Sequence, residues 1–274
     1  MIHMMLYPSE AVGIPGKHDV TLSKSAPGIV IMVKAPRPGT VKTRLGSCLT
    51  PEDAAALAAC GVRDVVRTAK TVAPFVLIAY TPLNGQNELQ ELLPDQLLWT
   101  PQQGADLGAR MHSAVAAAAL QGLKPVVVLG TDSPTFPPEA VAEAFTLLQN
   151  HDVVLGPAED GGYWCVGLRE PQPPLFDDIL WSTEVVFEQT TANARRLGLT
   201  VATVAAWYDT DTPDDLARLE NDPFLQERAP ETAAWFSSKL SRQRAFGGVA
   251  NIDEAALESG RGNTKPIADP EADH

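Results

Sequence analysis

The sequence predicts an α/β domain built on a mostly parallel sheet. Apolar, β-branched runs at Gly28–Val33 and Pro125–Gly130 read as strands buried on both faces. Stretches of helical length alternate with the strand runs, and that alternation at this spacing is the signature of an α/β sheet. Loops rich in Pro, Gly and Asp follow the two most apolar strands, at the edge where open α/β sheets bind ligands.

Taken in order, the elements carry their own start and stop signals. Residues 1–27 mix Pro, Gly and Ser without periodicity and are expected to be a poorly ordered extension. After the first strand, Thr50, Pro51 and Asp53 supply an N-cap, a first-turn proline and an acid at the third helical position, for a helix to about Val72. Strands are expected at Phe75–Tyr80 and Leu97–Thr100, an Ala-rich helix at Ala105–Leu120, and a helix at Pro138–Gln149 after the central strand. Asp152–Leu155 and Tyr163–Leu168 read as strands joined through Asp160-Gly161, a tight-hairpin signal. Thr183–Leu197 reads as a helix stopped by Gly198, and Leu199–Val204 as a further strand. Thr212, Pro213 and Asp215 form a capping box for another helix. The pattern changes at Asp222, so the main domain is placed at 28–220 and residues 221–274 are read as an accessory helix, Pro230–Arg244, with a flexible acidic tail.

Composition narrows the function. The chain of 274 residues has a formal net charge of -13, which argues against general nucleic-acid or anionic-membrane binding. Its three cysteines form no Cys-x-x-Cys pair and point to a reducing, cytoplasmic setting. No apolar run approaches the roughly 20 residues of a membrane span, and the N-terminus lacks the pattern of a secretory signal. Five dispersed histidines predict no zinc site.

One stretch runs against the overall charge. No acid lies between Asp19 and Glu52, and the loop after the first strand carries Lys34, Arg37, Lys42 and Arg44. Pro36 and Val41 stand where a Walker A loop needs glycine, which excludes a P-loop. The cations can still converge on phosphate at the end of the sheet, the alternative being a solvated basic turn. Asp132 follows the most buried strand and suits Mg²⁺ or Mn²⁺, although Asp-Ser-Pro is also good turn chemistry. Asp209 and Asp211, at i and i+2 on an extended segment, point to the same side and could share that cation with Asp132. Asp160 is accounted for by the hairpin signal, and its neighbours Glu159 and Tyr163 could face a second substrate. Gln103 to Gly108 opens the Ala-rich helix with glycines that permit close approach of a flat ligand.

Together these motifs resemble the bacterial DUF2064 group of the nucleotide-diphospho-sugar transferase superfamily. The resemblance rests on Lys34 to Leu45, Gly130 to Pro134, Gly156 to Tyr163, Trp181 to Thr183 and Asp209 to Leu216, and covers about residues 28–220. It implies a GT-A-like, Rossmann-like three-layer α/β/α sandwich. It also implies nucleotide-binding roles for Lys34, Lys42 and Arg44, beside which Arg37 of the same loop is a further nucleotide-binding candidate, base contacts at Gln103 and Gly108, and metal positions at Asp132 and Asp211. Glu159, Gly162 and Tyr163 would then meet the acceptor, with Lys42, Asp132 and Asp160 in the chemistry. The group is related to molybdenum-cofactor and phospholactate guanylyltransferases. Uridylyltransferases of the superfamily open with a Gly-x-Gly-Thr-Arg turn, whereas Ala35 to Gly39 here form a stiffer, proline-rich loop. Three readings follow: glycosyl transfer from an NDP-sugar to a small-molecule acceptor, nucleotidyl transfer from an NTP to a phosphorylated small molecule, and a nucleotide-binding module without catalysis.

Overall fold

The computed structural model describes residues 25–93 and 96–247, with side chains to residue 239. Seven strands form one sheet: β1 (Ala26–Lys34), β2 (Phe75–Thr81), β3 (Leu98–Pro101), β4 (Leu123–Leu129), β5 (Val153–Pro157), β6 (Tyr163–Leu168) and β7 (Val201–Thr203). Their order is β3-β2-β1-β4-β6-β5-β7, and only β6 runs antiparallel to its neighbours. The strand carrying Tyr163 therefore begins at the edge where β1 and β4 end. The tight β5–β6 turn expected from Asp160-Gly161 is what reverses it.

Eight α-helices are described: α1 (Pro51–Val72), α2 (Gln86–Leu92), α3 (Leu107–Leu120), α4 (Pro138–Leu147), α5 (Val186–Arg196), α6 (Pro213–Glu220), α7 (Leu225–Arg228) and α8 (Pro230–Gly247). The caps read from the sequence form: Thr50 accepts from Asp53 N at 3.1 Å, and Thr212 and Asp215 make a capping box. One core joins α1 and α4 to the sheet through Val62, Val66, Ile31, Val127 and Val141. The opposite core joins α3 and α5 through Val30, Leu77, Val128, Val115 and Ala194. Both faces of the central strands are thus apolar, as their uninterrupted runs require.

The structure adjusts several boundaries. The first strand starts at Ala26, and the last strand shortens to Val201–Thr203. The Ala-rich helix starts after an Asp106 cap, whose carboxylate accepts from Ala109 N at 2.8 Å. Residues 183–185 form a turn before α5, and α2 went unread because its seven residues are mostly polar. The stretches 1–24 and 248–274, including the expected acidic tail, lie outside the described residues.

The accessory helix is built into a third apolar cluster. Trp235, Phe236 and Ala233 of α8 pack with Leu45, Leu49 and Leu57, which lie beneath and beside the basic loop, and with Leu216 and Leu219 of α6. Burying aromatic side chains of this kind is worth about 1.5–3 kcal/mol each. Asp64 of α1, 0% exposed, fastens α8 by accepting from Thr232 N (2.9 Å), Thr232 Oγ1 (2.8 Å) and Glu231 N (3.1 Å). Among the described residues no helix is long and apolar enough to cross a membrane.

Candidate nucleotide site

The basic loop closes on itself at the end of β1. Lys34 Nζ donates to Thr40 O at 2.6 Å, which folds residues 35–40 back over the strand. Lys42 follows in a left-handed conformation (φ 49°), with its side chain only 7% exposed. Its ammonium donates to the Asp132 carboxylate and to Thr210 O (2.7 Å), and stands 3.8 Å from Asp211 Oδ1. Arg44 reaches the other oxygen of Asp211 at 3.3 Å. Residues separated by about 90 and 170 positions, from three loops at one sheet edge, thus meet around a single ammonium.

Two cavities join at this cluster, sharing Lys34, Thr131 and Asp132. One, of about 240 Å³, is lined by Lys34, Thr40, Lys42, Arg44 and Asp211 against Ala58 and Val62. The other, of about 350 Å³, runs between α3 and the strand ends past Met32, Gln102, Leu107, Arg110, Tyr163 and Asp209. The first presents cations, and the second offers mostly apolar walls with a few polar groups, the usual character of a small-molecule site.

The second acidic cluster divides between them. The expected same-side placement of Asp209 and Asp211 does not occur: Asp211 faces Lys42, and Asp209 accepts from the Ser133 hydroxyl on the wall of the larger cavity. The backbone bond from Thr210 N to Asp132 O (2.8 Å) anchors the segment between the two carboxylates. Burial pushes the Asp209 pKa up to about 6, against the Ser133 bond and helped by Asp132, Asp160 and Asp211; burial and Asp132 also raise that of Asp211.

This sets the sign of a pH effect. A carboxyl whose folded pKa exceeds its unfolded value binds its proton more tightly when folded, so stability falls as pH rises from about 4 to 6. In metal-free buffer Asp209→Asn, which keeps an acceptor for Ser133, is expected to gain about 2–3 kcal/mol over the parent at pH 7.5. The gain should vanish near pH 4, as followed by denaturant unfolding at both pH values.

Other expected site residues are placed differently. Arg37 lines neither cavity; its guanidinium pairs with Glu88 of α2 (2.5 Å) and with Asn84, securing the loop to that helix. Gln103 lines neither cavity, but its neighbour Gln102 does, with Nε2 donating to Ala79 O (2.8 Å) and Val33 O (3.3 Å). Those bonds use both amide protons and leave Oε1 as the group available to a ligand. Gly108 serves packing: a Cβ there would stand 2.6 Å from the Trp181 ring and 2.9 Å from Phe176 O. Gly104 (φ +138°) likewise lies against the first turn of α3, and its carbonyl accepts from Arg110 Nε at 3.2 Å. The glycines expected to admit a flat ligand instead position Leu107 and Arg110.

At the hairpin, Glu159 makes a two-pronged ion pair with Arg218 (2.6 and 2.9 Å), which holds its pKa below the usual carboxylate range. Asp160 Oδ1 accepts from Gly162 N at 2.9 Å, shaping the turn. Tyr163 alone of this group lines a cavity, and burial raises its hydroxyl pKa. Gln102 and Arg110 are additions that no sequence motif marked, and Thr131 and Ser133 lie within the Gly130 to Pro134 motif, where only Asp132 was singled out.

The donor set fits a divalent cation in part. No cluster of three or more His, Cys, Asp or Glu side chains suited to a metal occurs among the described residues. Asp132 and Asp211 nevertheless both lie against one ammonium, and Mg²⁺ is commonly held by one or two carboxylates plus substrate phosphates.

The family model described as "Uncharacterized protein conserved in bacteria (DUF2064)" matches residues 64–183. No curated protein matches the chain. Among solved structures, a protein from Desulfovibrio desulfuricans G20 assigned as a nucleotide-diphospho-sugar transferase is 33% identical, with a TM-score of 0.73 over 81% of this chain and 98% of that one. The inositol-1-phosphate CTP transferase from T. maritima shares the fold at 13% identity and a TM-score of 0.51, over 76% of this chain and 96% of its own. The motifs at the sheet edge, the sheet order and these matches agree, and the chain belongs to the DUF2064 family of the nucleotide-diphospho-sugar transferase superfamily.

Proposed function

We propose that the protein is a metal-dependent transferase that uses a nucleotide donor, most simply transferring a glycosyl group from an NDP-sugar to a small-molecule acceptor. The observation that carries this reading is the junction of a cationic cavity with an apolar-walled one at Lys34, Thr131 and Asp132. A donor has the same division, with anionic phosphates beside an uncharged base and sugar. The Desulfovibrio relative's assignment as a nucleotide-diphospho-sugar transferase supports the glycosyl form.

In this reading Lys34, Lys42 and Arg44 bind the phosphates, and Gln102 offers its oxygen to an N–H of the base. Asp132 and Asp211 would hold Mg²⁺ or Mn²⁺. Such a cation neutralises charge on the departing phosphate group. Tyr163 and Asp209 form the wall nearest the acceptor, and an ionised Asp209 can take a proton from an acceptor hydroxyl. Asp160 supports that wall through the turn.

A second reading is nucleotidyl transfer, and a specific observation favours it. Lys42 and Arg44 line the smaller cavity and not the larger one, so two cations stand apart from the apolar walls, as a site for departing pyrophosphate would need. Incubation with Mg²⁺ or Mn²⁺ and panels of NDP-sugars and NTPs tests both. NDP release from an NDP-sugar supports the first, and pyrophosphate release dependent on a phosphorylated small molecule supports the second. Nucleotide binding with no turnover of either panel would leave the non-catalytic module.

A further inference from the structure

The two acid-bearing loops are joined by residues that line neither cavity. Residues 132–135 leave the end of β4, and residues 207–211 follow β7. Besides the Thr210–Asp132 backbone bond and the Ser133–Asp209 bond, Thr135 Oγ1 lies 3.2 Å from the Tyr208 hydroxyl. Both of these hydroxyls donate to one atom, Asp222 Oδ2, Thr135 at 2.9 Å and Tyr208 in a shorter bond. The other oxygen of Asp222 accepts from Phe224 N at 2.8 Å, so the turn between α6 and α7 fixes the carboxylate. Thr135 is fully buried and Tyr208 nearly so. The tyrosine ring is further held by stacking on Trp207 and by the Arg218 guanidinium 3.9 Å above it.

We infer that Tyr208, Thr135 and Asp222 are positioning residues that set the separation of Asp132 from Asp211. Tyr208 lies three residues before Asp211, and Thr135 three residues after Asp132, so a shared acceptor for their hydroxyls fixes one loop against the other. The inference rests on the proposed reading in which Asp132 and Asp211 act together at the donor's phosphates. A carboxylate is suited to this task because it can accept from both hydroxyls at once, which an amide or hydroxyl in its place cannot do while also accepting from Phe224 N. Outer groups that orient ligating carboxylates commonly matter nearly as much as the ligands themselves.

The test compares the full chain with Tyr208→Phe, Thr135→Val and Thr135→Ser. Tyr208→Phe removes one hydroxyl and keeps the ring under Arg218, and Thr135→Ser keeps the hydroxyl that Thr135→Val deletes. Mn²⁺ alone, titrated by electron paramagnetic resonance, is expected to bind about 10–100-fold more weakly to Tyr208→Phe and Thr135→Val. Thr135→Ser should bind like the parent, and all four proteins should melt within a few degrees of one another. Equal Mn²⁺ affinity in all four overturns the inference. If the parent itself takes up no Mn²⁺, the metal assignment fails and the same set is compared on donor turnover. A fall in kcat at constant KM, restored in Thr135→Ser, then supports the inference, and equal kcat overturns it. Should Tyr208→Phe fail to fold, Thr135→Val with its serine control decides the outcome.

Discussion

Asp132→Asn is expected to reduce turnover of the nucleotide donor by about 10²–10³-fold, the loss typical of removing one preorganised electrostatic group. The replacement is isosteric, and the backbone bond from Thr210 N to Asp132 O does not depend on the side chain. What changes is charge: Lys42 loses the carboxylate it touches, and its ammonium is left to Thr210 O and the more distant Asp211. Asp211→Asn should act in the same direction and release Arg44 as well. Nucleotide binding without metal, followed by thermal shift, is expected to persist or tighten in both variants, because each removes a negative charge beside the phosphates. Steady-state turnover in Mg²⁺ or Mn²⁺ is the deciding measurement. Full turnover by either variant counts against both enzymatic readings.

The second large effect lies far from the site. Asp64→Ala is expected to lower the stability of the folded chain by about 2–4 kcal/mol, read from urea unfolding. Three donors, the fully buried amide and hydroxyl of Thr232 and the partly buried amide of Glu231, lose their common acceptor. Each unsatisfied buried donor costs about 1–3 kcal/mol. Part of that loss is offset, because burial raises the pKa of the Asp64 carboxyl despite these bonds, and alanine removes the cost of burying a charge. Asp64→Asn retains one acceptor and should fall between the two. An alanine variant as stable as the parent would show that α8 is held by its apolar face alone.

The fold was legible wherever a local signal and a long apolar run coincided. Thr50-Pro51 and Thr212-Pro213 announced their helices, and Pro125–Gly130 announced the central strand, because capping and burial both act within a few residues. Helix α2 was not legible: its role is to offer Glu88 to Arg37 across 51 residues of sequence, and no local pattern records such a pairing. The site shows the same division. The structure brings Lys34, Lys42, Asp132 and Asp211 together because sheet edges collect the residues that follow strands. Arg37 and Glu159 carried the right charge, but each met a partner, Glu88 and Arg218, that only the fold brings near. Gln102 and Gln103 differ by one position, and which of them enters the cavity depends on the carbonyls of Val33 and Ala79 that bind the amide. Tyr208, Thr135 and Asp222 carry no local signal in the sequence, because their common feature, one shared oxygen, exists only after three loops have met.

The position of α8 also orders the building of the molecule. Leu45, Leu49 and Leu57 are made early, yet Trp235 and Phe236, which complete their packing, emerge from the ribosome about 180 residues later by direct count. A nascent chain can assemble the sheet and present Lys42, Asp132 and Asp211 before this cover exists. The basic loop would meanwhile rest on an incomplete apolar floor, with Asp64 waiting for the amides of Glu231 and Thr232. Shortening the chain at residue 228 would spare every side chain that lines either cavity and still remove the support beneath one of them.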